Sequence, residues 1–277
     1  MPATRAVRRT AVSRNNVTEV GRPDGPALLL LHGFGSEQGA WQAMLPALAA
    51  EHRVVLVYHV GAGGSDLSAY DREKYGSLDG YVDDLLEVCE ELDLRDVVVV
   101  AHSISAMMAL LASVREPGRF SRLVLVAPSP CYIDDPATGY VGGFSRADID
   151  ELLESLDANY SAWASTIAPM VMGNPGTPEL GERLTGSFQA TDPDIARHFA
   201  RVTFHSDVRH LLEDVTVPAL VLQCVDDVLA PPEVGDHLHA RLAGSTLVHL
   251  DASGHCPHLS APAETAAAVL GYLDRDR

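Results

Sequence analysis

The sequence is short of positive charge. Its 20 Lys and Arg stand against 38 Asp and Glu, a formal net charge of −18. A field of that sign repels phosphate backbones and anionic lipid surfaces, so neither a nucleic acid nor a membrane is the expected partner. Cysteine is scarce too: Cys89, Cys131, Cys224 and Cys256 stand far apart, with no C-x-x-C pair. That spacing speaks against a zinc knuckle, a redox dithiol or a disulfide framework. Cys224 in an apolar run and Cys89 on an amphipathic pattern read as buried thiols, which points to a reducing cytoplasm. No apolar run approaches the ~20 residues that cross a bilayer. The opening "MPATRAVRRTAVSRNN" carries Arg5, Arg8, Arg9 and Arg14 but no apolar segment after them, so it is not expected to be a secretory signal. It is basic enough for a transit peptide, yet the chain passes directly into strand-like residues.

Further motifs are missing. The glycine-rich "YHVGAGGSD" (58–66) lacks G-x-x-x-x-G-K-[ST] and its lysine, so a tight loop is expected there and no phosphate cradle. His255 and His258 make H-x-x-H and His237 and His239 make H-x-H, but no third ligand stands at zinc-site spacing. Neither a metal nor a cofactor is expected. There is no internal repeat and no low-complexity tract.

What is present is an alternation. Near-continuous apolar runs at 27–33, 53–61, 97–103, 122–128, 219–225 and 246–251 read as strands covered on both faces, as in a parallel sheet between helices. Helical patterns fall between them at about 37–50, 78–92, 104–116, 233–243 and 262–273. The start, "AVSRNNVTEVGRPDG", reads as a hairpin or an antiparallel edge pair. The expected class is α/β, a mostly parallel central sheet flanked by helices with right-handed crossovers. From 134 to 209 the alternation stops. Ser145 with Asp148 resembles a capping box, and Thr177-Pro178 and Asp192-Pro193 each place proline at a first helical turn. The expected organisation is a core of 1–133 and 210–277 with a helical lid at 134–209 inserted over the strand ends.

Ligands of open parallel sheets bind outside the carboxyl ends of the strands. Ser103, Asp226, Asp227, His255 and the loop His32-Gly33-Phe34-Gly35 all follow strands. A serine hydroxyl is a poor nucleophile at neutral pH, so a histidine must take its proton and a carboxylate must orient that histidine. A sharp turn around the serine needs small residues two positions either side. Here they are Ala101 and Ser105, where G-x-S-x-G has glycines. Asp227, four residues before Pro231, is preferred over Asp226 as the orienting carboxylate. The N–H groups of Phe34 and Ile104 are candidates for holding an oxyanion. The chain order Ser…Asp…His is that of α/β-hydrolases and of neither trypsin-like nor subtilisin-like enzymes. Trp163, Phe188 and Phe199 lie in a small helical insertion with little core of its own, so some of them are expected to face the cleft, with His205 and Val228 as further pocket candidates.

Together with "LDGYVDDLLEVCEELDL" (78–94), "APSPCYIDDP" (127–136), "ATDPDIARHFA" (190–200), "SDVR" (206–209), "TVPALVLQCVDDVLAP" (216–231) and "GHCPH" (254–258), these residues give the chain a resemblance to α/β-hydrolases of the RsbQ type, bacterial stress regulators related to the plant karrikin and strigolactone receptors. The resemblance runs over nearly the whole chain. It implies Ser103, Asp227 and His255 as a triad, Phe34 and Ile104 as oxyanion donors, a four-helix lid over a largely apolar pocket, and no cofactor. It also implies a small hydrophobic substrate or ligand and a PAS-domain phosphatase as partner. Three residues depart from the pattern: Ala101 at the turn, His59 where this fold commonly has Asp, and His205 where an apolar or amide residue is expected.

Two readings stand open on the sequence: a serine hydrolase of a small apolar ester or lactone, and a signalling regulator or receptor that turns its ligand over slowly or only binds it. A C–C bond hydrolase or haloperoxidase-like enzyme would use the same residues, whereas a dehalogenase would carry Asp at position 103.

Overall fold

The structure is a computed structural model that describes residues 10–276; Arg5, Arg8 and Arg9 of the basic opening lie outside the described residues. The opening segment is not a hairpin. Ala11–Arg14 forms one helical turn, α1, whose Ala11 and Val12 N–H groups donate to the Glu91 carboxylate. Only Thr18–Gly21 is extended, as β1.

The apolar runs form β2 (Ala27–Leu31), β3 (Arg53–Val57), β4 (Val97–His102), β5 (Phe120–Val126), β6 (Ala219–Asp226) and β7 (Thr246–Ser253). The described sheet has the order β1-β3-β2-β4-β5-β6-β7, with β1 antiparallel to β3 and every other pairing parallel. β4 is buried along its whole length, and its side chains alternate between two cores. Val97, Val99 and Ala101 join one face, while Val98 and Val100 join the other. A strand with no polar face has nowhere to go but the centre of a two-sided layer, each buried valine contributing roughly 1.5–3 kcal/mol.

Between 37 and 50 the expected helix is broken into a 3-10 turn, Gln38–Trp41, and a short α2, Leu45–Leu48. Pro46 has no N–H to donate, and its ring would collide with the carbonyl four residues earlier in a continuous helix. The remaining covering helices are α3 (Leu78–Glu91) and α4 (Ile104–Arg115). Four helices then interrupt the alternation between β5 and β6: α5 (Arg146–Ala158), α6 (Tyr160–Met172), α7 (Pro178–Gln189) and α8 (Pro193–Phe204). Ser145 and Asp148 close a reciprocal capping box at α5, and Pro178 and Pro193 open α7 and α8. Leu153, Leu156, Trp163, Leu184, Phe188 and Phe204 of these helices share a third apolar cluster with Tyr132 and Cys256 of the sheet's loops, so the insertion sits on the carboxyl ends of the strands. After β6 come α9 (Pro232–Arg241), α10 (Pro257–Ser260) and α11 (Pro262–Leu273).

Candidate active site

β2 is flanked by β3 on one side and β4 on the other, so the strand order reverses there and the loops after β2 and β4 part around a crevice. Ser103 stands between β4 and α4 in that crevice at φ 56, ψ −126, a conformation that costs a non-glycine residue on the order of 1–3 kcal/mol. Hydrogen bonds hold it there: Ser103 N–H donates to Val126 O at 2.9 Å, and Ser103 O accepts from Ala106 N–H at 2.9 Å. The turn accepts Ala101 and Ser105 in place of glycines. Ala101 is fully buried in β4, and the Ser105 hydroxyl donates to the His32 carbonyl. Gly33 fills a place no larger residue fits, since a Cβ there would lie 2.6 Å from His102 Nδ1 and 3.1 Å from Ser103 Cβ.

The Ser103 Oγ lies 2.7 Å from His255 Nε2, and His255 Nδ1 lies 2.8 Å from Asp227 Oδ2. Asp227 Oδ1 accepts the N–H groups of Leu229 at 2.9 Å and Ala230 at 3.1 Å, which fixes the carboxylate plane. Both Asp227 and His255 are buried. Asp226 is exposed and serves the site only through its backbone, its carbonyl accepting Gly254 N–H at 2.6 Å. His255 N–H in turn donates to Val171 O at 2.8 Å, so the last turn of α6 supports the loop that carries the imidazole. With its proton toward Asp227, the His255 ring presents a lone pair at Nε2 to Ser103.

Ile104 is the first residue of α4, where a backbone N–H has no acceptor in its own helix. Among the described residues neither it nor the Phe34 N–H donates to a backbone carbonyl. Ser103 opens into a cavity of about 120 Å³ whose walls are mainly apolar: Phe34, Phe144, Leu152, Trp163, Ile167, Phe188, Phe204 and Leu229. Met170 and Val228 also line it and are 57% and 50% exposed, which places them at its mouth.

Of the expected pocket residues, Trp163 and Val228 line this cavity, as does Phe188, while Phe199 and His205 do not. Phe199 packs instead behind Phe34, its ring centroid 5.6 Å from that of Phe34 and 4.7 Å from that of Tyr81. His205 caps the carboxyl end of α8 and is exposed beside Asp207 on the outer surface. The reason is rotation: Thr203 and Phe204 face the cavity, and the helix ends before the next residue can return to that face. His59 lies beneath the site, its Nε2 2.9 Å from the His32 carbonyl and 2.7 Å from Ser105 Oγ. His59 and Ser105, which stands where G-x-S-x-G has its second glycine, therefore touch each other.

Sequence reasoning missed Tyr132, whose hydroxyl is 3.4 Å from Ser103 Oγ and whose burial pushes its pKa up to about 12. Its signal was its place just past the carboxyl end of β5, in "SPCY". Thr203, Phe204 and Phe144 were missed as well, because nothing in a helical or loop pattern says which face meets the strand ends.

The model for the alpha/beta hydrolase family matches residues 28–268. The chain is 39% identical to the strigolactone esterase D14 of Arabidopsis thaliana, over 94% of this chain and 96% of that one. It is 35% identical to the karrikin insensitive 2 receptor CA of Petunia hybrida, over 90% of this chain and 92% of that one. Among solved structures, a hydrolase from Oleispira antarctica superposes with a TM-score of 0.92 at 40% identity, covering 96% of each chain. A family match over most of the chain, relatives of this similarity and the sheet order agree: the chain belongs to the alpha/beta hydrolase family.

Proposed function

We propose that the protein is a serine hydrolase that cleaves a small, apolar carboxylic ester or lactone through an acyl-enzyme. The observation that carries this reading is the unbroken chain Asp227 Oδ2–His255–Ser103 Oγ, at 2.8 and 2.7 Å, ending in an apolar cavity. In the reaction, Ser103 Oγ attacks the carbonyl carbon while His255 Nε2 takes its proton. Asp227 keeps His255 in the tautomer that has Nε2 free and stabilises the imidazolium. The carbonyl oxygen becomes an oxyanion held by the N–H groups of Phe34 and Ile104. His255 returns the proton to the departing alkoxide, which leaves or, in a lactone, stays tethered to the acyl group. A water activated by His255 then releases the acid.

The cavity, about 120 Å³, is well below the roughly 300–1,000 Å³ of pockets for drug-sized ligands. That supports an acyl group of a few carbons. The four inserted helices act as its lid, and the apolar rim of Met170 and Val228 favours entry of an uncharged molecule. Intact-protein mass after incubation with a small sulfonyl fluoride tests the assignment. One adduct on the wild type and none on Ser103→Ala is the expected result. Adducts at equal rate on both proteins, or on neither, refute it.

A second reading, a receptor or RsbQ-like regulator with slow turnover, is favoured by the receptor-named relative. The two differ in rate more than in residues. On the second reading a PAS-domain phosphatase is the partner, and co-purification with such a protein, retained in Ser103→Ala, is its test.

A further inference from the structure

His32 is wholly buried, and both of its ring nitrogens are committed. Its Nδ1 is 2.9 Å from Gly33 O, and a carbonyl oxygen can only accept, so Nδ1 carries the proton. The lone pair at Nε2 then accepts His59 N–H at 3.3 Å. Burial, with His59 alongside, lowers the pKa of the imidazole to about 3, which keeps it in this neutral form, donor on one side and acceptor on the other. The carbonyl of His32 is gripped separately, by His59 Nε2–H at 2.9 Å and by the Ser105 hydroxyl.

The carbonyl that His32 Nδ1–H holds belongs to the peptide unit joining Gly33 to Phe34. In a planar trans peptide the C=O and N–H point in opposite directions, so fixing one fixes the other. Among the described residues no peptide is cis. Gly33 lacks a Cβ and sits against Ser103 and His102, so nothing in its own side chain prevents this peptide from rotating. Ser36 N–H adds a longer bond to the same carbonyl, at 3.3 Å.

We propose that His32 is a positioning residue: its Nδ1–H aims the Gly33–Phe34 peptide so that Phe34 N–H faces the oxyanion, with His59 and Ser105 anchoring His32 from beneath. The inference rests on the hydrolase reading. It explains why His59 and Ser105 occur together: each supplies a hydrogen to the one carbonyl that locks the preceding peptide. A rotated peptide would aim Gly33 O at the oxyanion and cost the reaction one of its two donors, a loss of about 10²–10³ in rate.

The test uses p-nitrophenyl acetate hydrolysis by wild type, His32→Leu and His32→Asn, with thermal unfolding of each. The Asn amide places an N–H near the position of Nδ1; Leu fills the space without one. Expected is a loss of about 10²–10³ in kcat with KM little changed for His32→Leu, and recovery of most of that loss in His32→Asn. Equal kcat in Leu and Asn variants of similar Tm overturns the proposal, because the ring would then serve only to fill space. Nitrogen-15 NMR of the wild-type histidines is independent of activity and of whether any variant folds: His32 protonated at Nδ1 at neutral pH supports the proposal, and protonation at Nε2 overturns it. A wild type that forms the Ser103 adduct but shows a rotated tautomer refutes this inference alone; a wild type without adduct or turnover refutes the hydrolase reading itself.

Discussion

At the scale of single residues the site turns on which of two adjacent carboxylates faces inward. β6 ends at the exposed Asp226, and the turn that follows carries the buried Asp227 inward, so only one of the two reaches His255. It is Asp227, whose second oxygen is tied down by two backbone N–H groups. Asp227→Asn is expected to lower kcat by about 10⁴, because the amide favours the wrong imidazole tautomer. Asp226→Asn should change kcat less than about threefold, as for a surface substitution within ±0.5 kcal/mol. Steady-state kinetics on p-nitrophenyl acetate separates the two, and similar losses in both would mean that the carboxylates share the role. Spacing in the sequence already favoured Asp227. The tyrosine beside Ser103 was legible there only as a residue just past a strand end, because the course of the loop, and no pattern of its own, brings Tyr132 to the site.

At the scale of elements, the contact between the His255 loop and α6 joins the insertion to the core. Gly254 has φ +84, and a Cβ on it would lie 1.9 Å from Met172 O. The close approach lets Val171 O accept His255 N–H and Asn174 Nδ2–H donate to Ser253 O at 3.0 Å. Gly254→Ala is therefore expected to destabilise the protein by at least ~2 kcal/mol, through both the left-handed backbone and the clash. That corresponds to a Tm lowered by about 4–8 °C. It should also reduce kcat, since the loop carrying His255 must move; a Tm and kcat equal to wild type would show that the two elements part without consequence. Three of the four inserted helices were legible from their starts, with Ser145, Thr177 and Asp192 each standing at the expected boundary, whereas α6, capped by Asn159, was not. Which faces of those helices meet the cavity was not. Phe199 and Phe204 both belong to the buried face of α8, yet only Phe204 lines the cavity, because Phe34 rises between Phe199 and the opening.

At the scale of the whole molecule, an unusual share of imidazole lies inside. His32, His59, His102 and His258 are all buried, and burial lowers the pKa of each: to about 3 for His32 and His258, to about 4 for His59, and well below the ordinary value for His102. The His102 and His258 rings pack at 4.4 Å, and His102 Nε2–H donates to His255 O at 2.8 Å. In the unfolded chain these groups take up protons near pH 6.5, and in the folded chain only far below it. The stability they permit is thus fully present above pH 6.5 and is lost as pH falls toward 3–4. Each buried imidazole accounts for roughly 2 kcal/mol of loss between pH 6.5 and 5. Several together rival the 5–15 kcal/mol of a typical domain. Acid unfolding is expected to begin near pH 5, followed by circular dichroism, and a chain that stays fully folded at pH 4 would contradict it.

The sequence by itself determined the class of the fold, because uninterrupted apolar strands can be satisfied only between two layers of helices. It also singled out Ser103 as the proposed nucleophile, because a serine between a buried strand and a helix, with small residues two positions either side, fits a sharp turn that lifts its hydroxyl clear. Tertiary structure alone decided the rest. The cavity wall, the pairing of His59 with Ser105 and the course of the Gly33–Phe34 peptide depend on side chains from segments far apart in the chain. Their approach is set by packing across the sheet and the insertion, and no local period in the sequence records it.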